Sequence, residues 1–328
     1  MIVITGGAGF IGSNLAAALE QHSNEEIVVC DYASTDEKWR NISKRKIKDL
    51  ITPDNFLDWI STNISSVSTV FHLGAISSTV ERNVDLIVAN NYRLSCNLWE
   101  ICTQHNVKLI YASSAAVYGD GSSGFNDDFT LKSMSKLKPL NPYGWSKFLF
   151  DRKVAHYLSN YTETPKKWAG LRFFNVYGPN EYHKGNQRSV VPQFWEQIKK
   201  TGQARLFKSL NPKYPDGNQM RDFIHVEDCI SIMIWLYDET NISGLFNVGT
   251  GHARTFEDLA KSIFKSLEIE PNIKYVDMPK NILSQYQYHT EARTERLRAA
   301  GYNNPFISLE DGIHSYVQDY LESKDPFR

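Results

Sequence analysis

The sequence predicts an α/β fold in which a doubly wound parallel sheet is joined to a smaller C-terminal α/β region. Short β-branched runs alternate with helix-period segments through the first half of the chain, a rhythm typical of a parallel sheet covered by helices on both faces. The first apolar run also meets a glycine-rich loop that leads directly into a helical pattern. These two observations together predict the fold class.

Each predicted strand is a short apolar run bounded by turn residues. These runs are residues 2–5, 27–31, 67–73, 107–113, 168–174 and 245–248. The predicted helices carry apolar residues at helical spacing. They are residues 10–21, 55–63, a long one near 80–105, 142–159, 190–200 and 225–238. We expect residues 119–139 to form a polar surface loop over the sheet edge and residues 255–328 to be mainly helical.

Composition excludes several classes of protein. The 328 residues include 36 basic and 37 acidic side chains, a net charge of −1, which argues against nucleic-acid or membrane binding driven by bulk charge. The start of the chain has no signal-peptide pattern and no run reaches about 18 apolar residues, so we expect a cytoplasmic protein. The four cysteines show neither a disulfide framework nor metal-ligand spacing, which predicts buried free thiols and no metal site.

The glycine loop predicts a dinucleotide site. Gly6 allows a tight turn, Gly9 a close approach of pyrophosphate, and Gly12 close packing of helix on strand. The sheet is therefore expected to be Rossmann-like, with a dinucleotide-binding domain of residues 1–174 plus about 223–253. A substrate domain is expected at about 175–222 plus 254–328.

Two residues bear on the choice between NAD and NADP. Asp31 ends the second predicted strand, where a carboxylate accepts a hydrogen bond from the adenosine ribose of NAD. Lys38 follows closely and could instead neutralise the 2′-phosphate of NADP. These two residues alone do not decide between NAD and NADP.

A tyrosine and a lysine four residues apart form the candidate catalytic group. Tyr143 and Lys147 share one helix face, where the ammonium is expected to lower the pKa of the phenol and favour phenolate. Ser114 ends a strand upstream and can hydrogen-bond a reacting oxygen. A second Tyr-Lys pair, Tyr320 and Lys324, lacks such a serine and is interpreted as surface helix.

The glycine loop, Ser114, Tyr143 and Lys147 together resemble the extended short-chain dehydrogenase/reductase family, whose members act mostly on nucleotide sugars. Further matches cover nearly the whole chain, at residues 71–75, 90–92, 172–179 and 221–226. Dehydratases of this family carry an Asp-Glu pair where this chain has Ala115 and Ala116, so water elimination is disfavoured. Epimerization remains, as does a catalytically silent nucleotide-sensing protein.

Residues 146–151, 175–185 and 297–302 resemble the ADP-heptose 6-epimerase branch of this family. On its own Lys184 has the pattern of a surface lysine, but the resemblance makes it a second acid/base across the substrate from Tyr143. It further implies an ADP-heptose substrate, a transient C6 aldehyde, tightly bound NADP, heptose supply for lipopolysaccharide core, and a homo-oligomer that is a pentamer by family resemblance. A UDP-hexose 4-epimerase would not need Lys184.

The resemblance also assigns binding residues. Cofactor contacts fall on Phe10, Ile11, Asp31, Tyr32, Lys38, Leu73, Gly74, Ala75, Ile76, Ser77, Asn90, Lys147, Val176 and Lys184. Substrate contacts fall on Ser114, Asn175, Asn186, Gln193, Phe207, Lys208, Ser209, Leu210, Arg221 and Tyr286. The Arg221 fork suits a diphosphate, the alternative being a structural pair with Asp222 or Glu227. Tyr32 and Pro53 replace an asparagine and a lysine of the family, which weighs against NADP.

Overall fold

The computed structural model describes residues 1–33, 37–160, 162–239, 241–279 and 286–328. In chain order its strands are β1 (Ile2–Thr5), β2 (Ile27–Cys30), β3 (Ile47–Ile51), β4 (Thr69–His72), β5 (Lys108–Ser114), β6 (Trp168–Phe173), β7 (Asn175–Tyr177), β8 (Ala204–Phe207), β9 (Met220–Arg221), β10 (Phe223–His225), β11 (Gly244–Val248), β12 (Arg254–Thr255) and β13 (Ile273–Val276).

The helices alternate with these strands in the first half of the chain. They are α1 (Phe10–His22), α2 (Phe56–Asn63), α3 (Val84–Ile87), α4 (Leu94–Gln104), α5 (Leu131–Met134), α6 (Pro142–Ser159), α7 (Val190–Thr201), α8 (Val226–Asp238), α9 (Phe256–Ser266), α10 (Glu295–Ala299) and α11 (Leu309–Ser315). One wider helical turn, Val88–Arg93, joins α3 to α4. None of the helices in the described ranges is both long and apolar enough to cross a membrane.

A seven-stranded sheet has the order β11-β6-β5-β4-β1-β2-β3, and every neighbouring pair is parallel. The chain starts in the middle at β1, runs outward through β2 and β3, and then returns to the other side at β4. This reversal makes the carboxyl ends of β1 and β4 the switch point at which doubly wound sheets bind ligands. The predicted Rossmann-like fold class is confirmed.

Two apolar layers hold the sheet, one on each face. Leu15 of α1 and Ile230 of α8 pack on one face, while Trp99 of α4 and Phe150 of α6 pack on the other. Strands β1, β2 and β4 are buried along their whole length because both faces are covered. This packing makes the switch point a rigid platform for side chains.

A second cluster of helices and short strands follows. Helices α7, α9 and α11 pack together around Phe264 and Tyr316, beside the parallel pair of β8 and β13. Strand β10 pairs with β7, and β9 pairs antiparallel with β12. These short pairs connect the second cluster to the carboxyl edge of the large sheet.

The structure corrects three sequence expectations. Strand β3 lies in a stretch where no strand was predicted, because its side chains are mostly exposed at the sheet edge and lack an apolar run. Residues 119–139 are more than a surface loop, since Asp127 and Met134 are buried and α5 forms within the segment. Strand β13 interrupts the region from residue 255 that was expected to be mainly helical. The four cysteines are buried with free thiols.

Candidate active site

The glycine loop after β1 forms a cradle that larger residues cannot enter. Gly6 has a φ of +69°, and a Cβ there would lie 2.6 Å from the Gly74 nitrogen. A Cβ on Gly12 would lie 2.2 Å from the Gly6 carbonyl oxygen. Helix α1 starts after Gly9 with no side-chain cap and no acidic residue in its first turn. Its first amides and its positive dipole end therefore suit the pyrophosphate of a dinucleotide.

A buried histidine joins the ends of β1 and β4 beneath this cradle. The His72 ring lies 2.7 Å from the Thr5 hydroxyl and 2.8 Å from the Ser95 hydroxyl. The Thr5 hydroxyl also accepts a hydrogen bond from the Gly74 amide at 3.1 Å. Burial, with a smaller contribution from Lys147, lowers the pKa of His72 to about 3, so the ring is neutral near pH 7. His72 was not a predicted site residue, although it lies in the matched 71–75 motif.

The two residues that bear on the cofactor choice lie in contact. Asp31 accepts hydrogen bonds from the Ala8 and Tyr32 amides, at 3.0 and 2.8 Å. The Lys38 ammonium lies 2.6 Å from Asp31 Oδ1, the oxygen that also accepts from the Tyr32 amide, in a mostly buried ion pair. Tyr32 is half exposed, and its hydroxyl donates to Asp54, which raises the pKa of the phenol. Neutralised by Lys38, Asp31 is a weaker barrier to a phosphate than a free carboxylate.

Helix α6 places the tyrosine beside the strand-end serine. Its first turn is capped by Asn141, whose side chain accepts from the Gly144 amide at 2.8 Å. The Ser114 hydroxyl accepts from the Ala116 amide at 3.2 Å and hydrogen-bonds the Tyr143 phenol, which favours phenolate. Burial outweighs this effect and raises the pKa of Tyr143.

Lys147 does not act on the phenol as the spacing predicted. Its ammonium donates to the Ala112 carbonyl of β5 at 2.9 Å, and burial raises the pKa of Tyr143 instead of lowering it. The expected lowering of the Tyr143 pKa is wrong because burial of the phenol outweighs the contact that favours phenolate. Burial lowers the pKa of Lys147 to about 8, while Asp151 acts in the opposite direction.

A buried ion pair lies under Lys147. The Asp151 carboxylate accepts from the Ser113 hydroxyl at 2.8 Å and from Arg172 Nε at 2.9 Å, and neither member of the ion pair is exposed. Arg172 also donates to the Tyr118 hydroxyl at 3.0 Å. This network joins β6 to β5 and α6, the two elements that carry Ser114, Tyr143 and Lys147.

Asn91 is a site-forming residue that the sequence reasoning missed. Its side chain accepts from the Ile76 amide at 2.8 Å and donates to the Ile76 carbonyl at 2.9 Å and to Ser146 of α6 at 3.0 Å. The neighbouring Asn90, assigned to the cofactor by resemblance, donates to the Leu86 carbonyl within its own helix. The matched 90–92 motif indicated this pair of asparagines but did not distinguish which of the two has the buried side chain.

The His-Lys-Gly turn brings Lys184 to the start of α1. In the helical turn Tyr182–Gln187, the half-buried Lys184 ammonium lies 5.7 Å from the centre of the Phe10 ring. Gln187 donates to the Ser78 hydroxyl at 2.7 Å, which ties the turn to the loop after β4. Burial lowers the pKa of Lys184, and the buried Glu181 carboxylate opposes that change. A lysine so placed is more easily deprotonated than a surface lysine.

Arg221 is a buried cation without a carboxylate partner in the described ranges. It is 8% exposed, donates to the Met220 carbonyl at 2.8 Å, and lies 5.3 Å from the Tyr286 ring and 5.5 Å from the Phe256 ring. Burial lowers the pKa of Arg221. The alternative pairings fail because Asp222 accepts from backbone amides and Glu227 pairs with Arg328. A buried guanidinium of this kind suits an anionic ligand.

The other predicted substrate residues are more scattered. The Phe207 ring packs on Tyr286 at 6.4 Å, so these two join Arg221 in one group. Lys208 pairs with Asp277, and Gln193 donates to the Arg188 and Ser189 carbonyls. Ser209 hydrogen-bonds within its own loop, and Asn175 accepts from Thr290. Leu210 is 66% exposed, and Asn186 is also exposed. The remaining cofactor residues, Ile11, Leu73, Ala75, Ser77 and Val176, lie on α1, in the loop after β4 and on β7.

An aromatic group beside Arg221 was not predicted. The Tyr288 ring packs on Tyr286 at 5.4 Å and on Tyr214 at 5.5 Å. The Tyr288 hydroxyl accepts from the Leu210 amide at 3.3 Å. The sequence signal for this group was two tyrosines two residues apart in a polar stretch. That signal is too weak to distinguish a binding site from exposed surface residues.

A cradle for pyrophosphate at the switch point and a serine–tyrosine–lysine group beside it define a class of enzymes that use a nicotinamide cofactor. The model of the NAD dependent epimerase/dehydratase family matches residues 2–249, and the chain belongs to this family.

Relatives match along the whole chain. A protein of Nitratidesulfovibrio vulgaris (strain DP4) named ADP-L-glycero-D-manno-heptose-6-epimerase is 48% identical over 330 residues, covering 100% of both chains. One of the same name from Fusobacterium nucleatum is 41% identical, again over 100% of both. The crystal structure of the Helicobacter pylori protein of that name superposes with a TM-score of 0.79 at 31% identity, covering 97% of this chain and 95% of the other.

Proposed function

We propose that this chain interconverts ADP-D-glycero-D-manno-heptose and ADP-L-glycero-D-manno-heptose by inverting C6. The observation that carries this proposal is the end-to-end similarity to proteins of that name. The position of Lys184 against Phe10, at the start of the helix that faces the pyrophosphate, supports it, because a 4-epimerase would not need this lysine.

The chemistry needs a proton carrier on each side of the substrate. A carbinol carbon is not acidic, so inversion requires loss of hydride from C6 and of a proton from its oxygen. This leaves a ketone, and not the expected aldehyde, because C6 is bonded to two carbon atoms. A nicotinamide held at the glycine cradle would supply the acceptor for that hydride and its return to the opposite face. In the proposal Tyr143 and Lys184 exchange the proton on the substrate oxygen from opposite sides, and each has protein contacts that suit this role.

The two groups are tuned in different ways. The Ser114 hydrogen bond helps the Tyr143 phenol to release its proton against the cost of burial. Lys184 is pushed by burial toward the neutral amine, the form that accepts a proton. Lys147 is proposed to hold the cofactor ribose, because its ammonium already lies at the carboxyl edge of β5. Arg221 would bind the diphosphate of the substrate through its fork.

For the cofactor we propose NADP, with NAD as an accepted alternative. Lys38 lies on Asp31 and can exchange this partner for a ribose 2′-phosphate, whereas Asp31 without the phosphate remains an acceptor for the ribose hydroxyl of NAD. Tyr32, half exposed beside this pair, provides a face for the adenosine.

Two further expectations stay proposals. The division into a dinucleotide-binding domain and a substrate domain predicts that limited proteolysis cuts near residues 175, 223 and 254. The homo-oligomer, a pentamer by resemblance, predicts a sedimentation mass several times that of one chain.

Turnover of paired variants tests the function. We expect Lys184→Ala and Tyr143→Phe each to lower turnover by roughly 10²–10⁴-fold, as for loss of a proton carrier, while cofactor stays bound. The second Tyr-Lys pair supplies the controls: Tyr320→Phe and Lys324→Ala should retain full turnover. Near-normal turnover by Lys184→Ala would contradict the assignment of two proton carriers.

A further inference from the structure

Residues 325–328, here called the clamp segment, lie across the turn that carries Lys184. The Phe327 ring packs edge-on against the Tyr182 ring at 5.3 Å, and the Tyr182 hydroxyl donates to the Pro326 carbonyl at 2.9 Å. Phe327 is 5% exposed. The clamp segment therefore covers the first residue of the Tyr182–Gln187 turn from outside.

The same segment is tied to the residues after β2. The Arg40 guanidinium lies 4.3 Å from the centre of the Phe327 ring. Lys44 donates to the Phe327 carbonyl at 2.6 Å and pairs with Asp325 at 2.6 Å. Phe327 is thus held between an arginine from the cofactor side and a tyrosine from the Lys184 turn.

Arg328 makes a third set of contacts. Its amide donates to Asn180 Oδ1 at 3.0 Å, and its guanidinium donates to Asn14 Oδ1 at 3.1 Å and to Glu227. The amide group of Asn14 in turn donates to the carbonyls of Phe10 and Pro179, at 2.8 and 2.9 Å. Arg328 therefore joins the start of α1 to the residues that lead into the turn.

The turn needs this support because it is short and contains a kink. Gly185 has a φ of +54°, which interrupts the helical turn directly after Lys184. Within the turn, the Lys184 amide donates to the Glu181 carbonyl at 3.1 Å, while the ammonium packs on the Phe10 ring and is attracted by the Glu181 carboxylate. Contacts from outside the turn are therefore needed to keep the ammonium in one place.

We propose that Phe327 and Arg328 are positioning residues for Lys184: they hold the Tyr182–Gln187 turn against α1 so that the ammonium stays on the Phe10 ring. The inference rests on the proposed function of Lys184. A misplacement of about 1 Å at a reacting group costs on the order of 10²-fold in rate, so contacts this far from the chemistry can control it.

The variant Phe327→Ala tests this role. We expect kcat to fall by roughly 10–10²-fold with KM changed by less than about threefold, because the substrate groups around Arg221 are untouched. Phe327→Leu, which keeps an apolar side chain on Tyr182, should recover most of kcat. The matched control is Phe306→Ala, which removes a ring that also lies 4.3 Å from an arginine, Arg298, but that packs on Tyr302 and not on Tyr182.

A second readout separates positioning from a general loss of stability. Nitrogen NMR of labelled lysine, assigned with Lys184→Arg, measures the pKa of Lys184 directly. Glu181 acts on this ammonium from the turn, while Asp325 is paired with Lys44. Release of the turn into water should raise the pKa of Lys184 toward its ordinary value in Phe327→Ala and leave it unchanged in Phe306→Ala.

The outcomes distinguish the two proposals. If the unmodified chain fails to invert C6, the proposed function fails, and the NMR titration still reports on the clamp segment. If the unmodified chain is active but Phe327→Ala keeps its kcat and the same Lys184 pKa, the positioning role is overturned. An equal fall of kcat in Phe327→Ala and Phe306→Ala, without a change of the Lys184 pKa, also overturns it.

Discussion

Replacement of Arg221 by methionine should weaken ligand binding while leaving the fold at least as stable. The guanidinium is 8% exposed and is flanked by the rings of Tyr286 and Phe256. Its hydrogen bond within the described ranges goes to the carbonyl of the adjacent Met220. Methionine keeps an unbranched apolar stem between the rings and removes the charge.

The substitution should lower the affinity for the ligand but not the free energy of unfolding. A fork that binds two phosphate oxygens makes two charge-assisted hydrogen bonds, each contributing roughly 1.5–3 kcal/mol, and their loss weakens binding by about 10²–10³-fold after partial compensation by water. Burial of an ion costs several kcal/mol, and no carboxylate in the described part of the chain offsets that cost for Arg221. Loss of two cation–π contacts of about 0.5–1 kcal/mol each is smaller, so the free energy of unfolding should stay the same or rise by about 1 kcal/mol.

Two measurements on one variant decide the matter. Isothermal titration calorimetry with ADP reports the binding, and urea denaturation of the protein without nucleotide reports the free energy of unfolding. Arg221→Lys, which keeps the charge but not the fork, should lose about tenfold in affinity. Unchanged ADP affinity in Arg221→Met, together with a fall in stability of 2 kcal/mol or more, would show that Arg221 is structural and refute the reasoning.

Three further perturbations test the rest of the site. The pKa of His72 is about 3 in the folded chain and about 6.5 in the unfolded chain, so the unfolded state binds more protons between these values. The free energy of unfolding should therefore fall as pH falls, by up to about 1.4 kcal/mol per pH unit, and denaturation from pH 6 to 4 should show a smaller change with pH in His72→Gln. Lys38→Ala should weaken NADP binding by roughly 10–10²-fold and NAD binding little, measured by calorimetry; equal losses would contradict the phosphate assignment. Asp151→Asn leaves Arg172 buried without its counter-charge and should lower the free energy of unfolding by about 3–5 kcal/mol in urea; an unchanged midpoint would contradict this.

Much of the fold was predictable because local and tertiary preferences agree in the buried elements. Strand β1 and helix α6 have the predicted bounds, since an apolar run meets glycine in one case and Asn-Pro begins a helix in the other. Strand β3 was missed because an edge strand with exposed side chains has no apolar pattern. Its pairing with β2 depends on a neighbour that no local signal reveals.

The candidate site divides in the same way. The glycine cradle and the contact of Ser114 with Tyr143 follow from motifs with a known strand and helix context. The direction of the Lys147 ammonium did not follow from a motif, because it depends on the Ala112 carbonyl of the neighbouring strand. The inward turn of Asn91 likewise depends on the wider helical turn at Val88–Arg93, which shifts the register of side chains.

The proposed mechanism requires that the hydride lost from C6 returns to C6 within the protein. The most direct test is an NMR time course of ADP-D-glycero-D-manno-heptose with the purified protein in deuterium oxide. We expect inversion at C6 with the original hydrogen retained on that carbon. Deuterium incorporated at C6, or an unchanged C6 in the presence of cofactor, would contradict it.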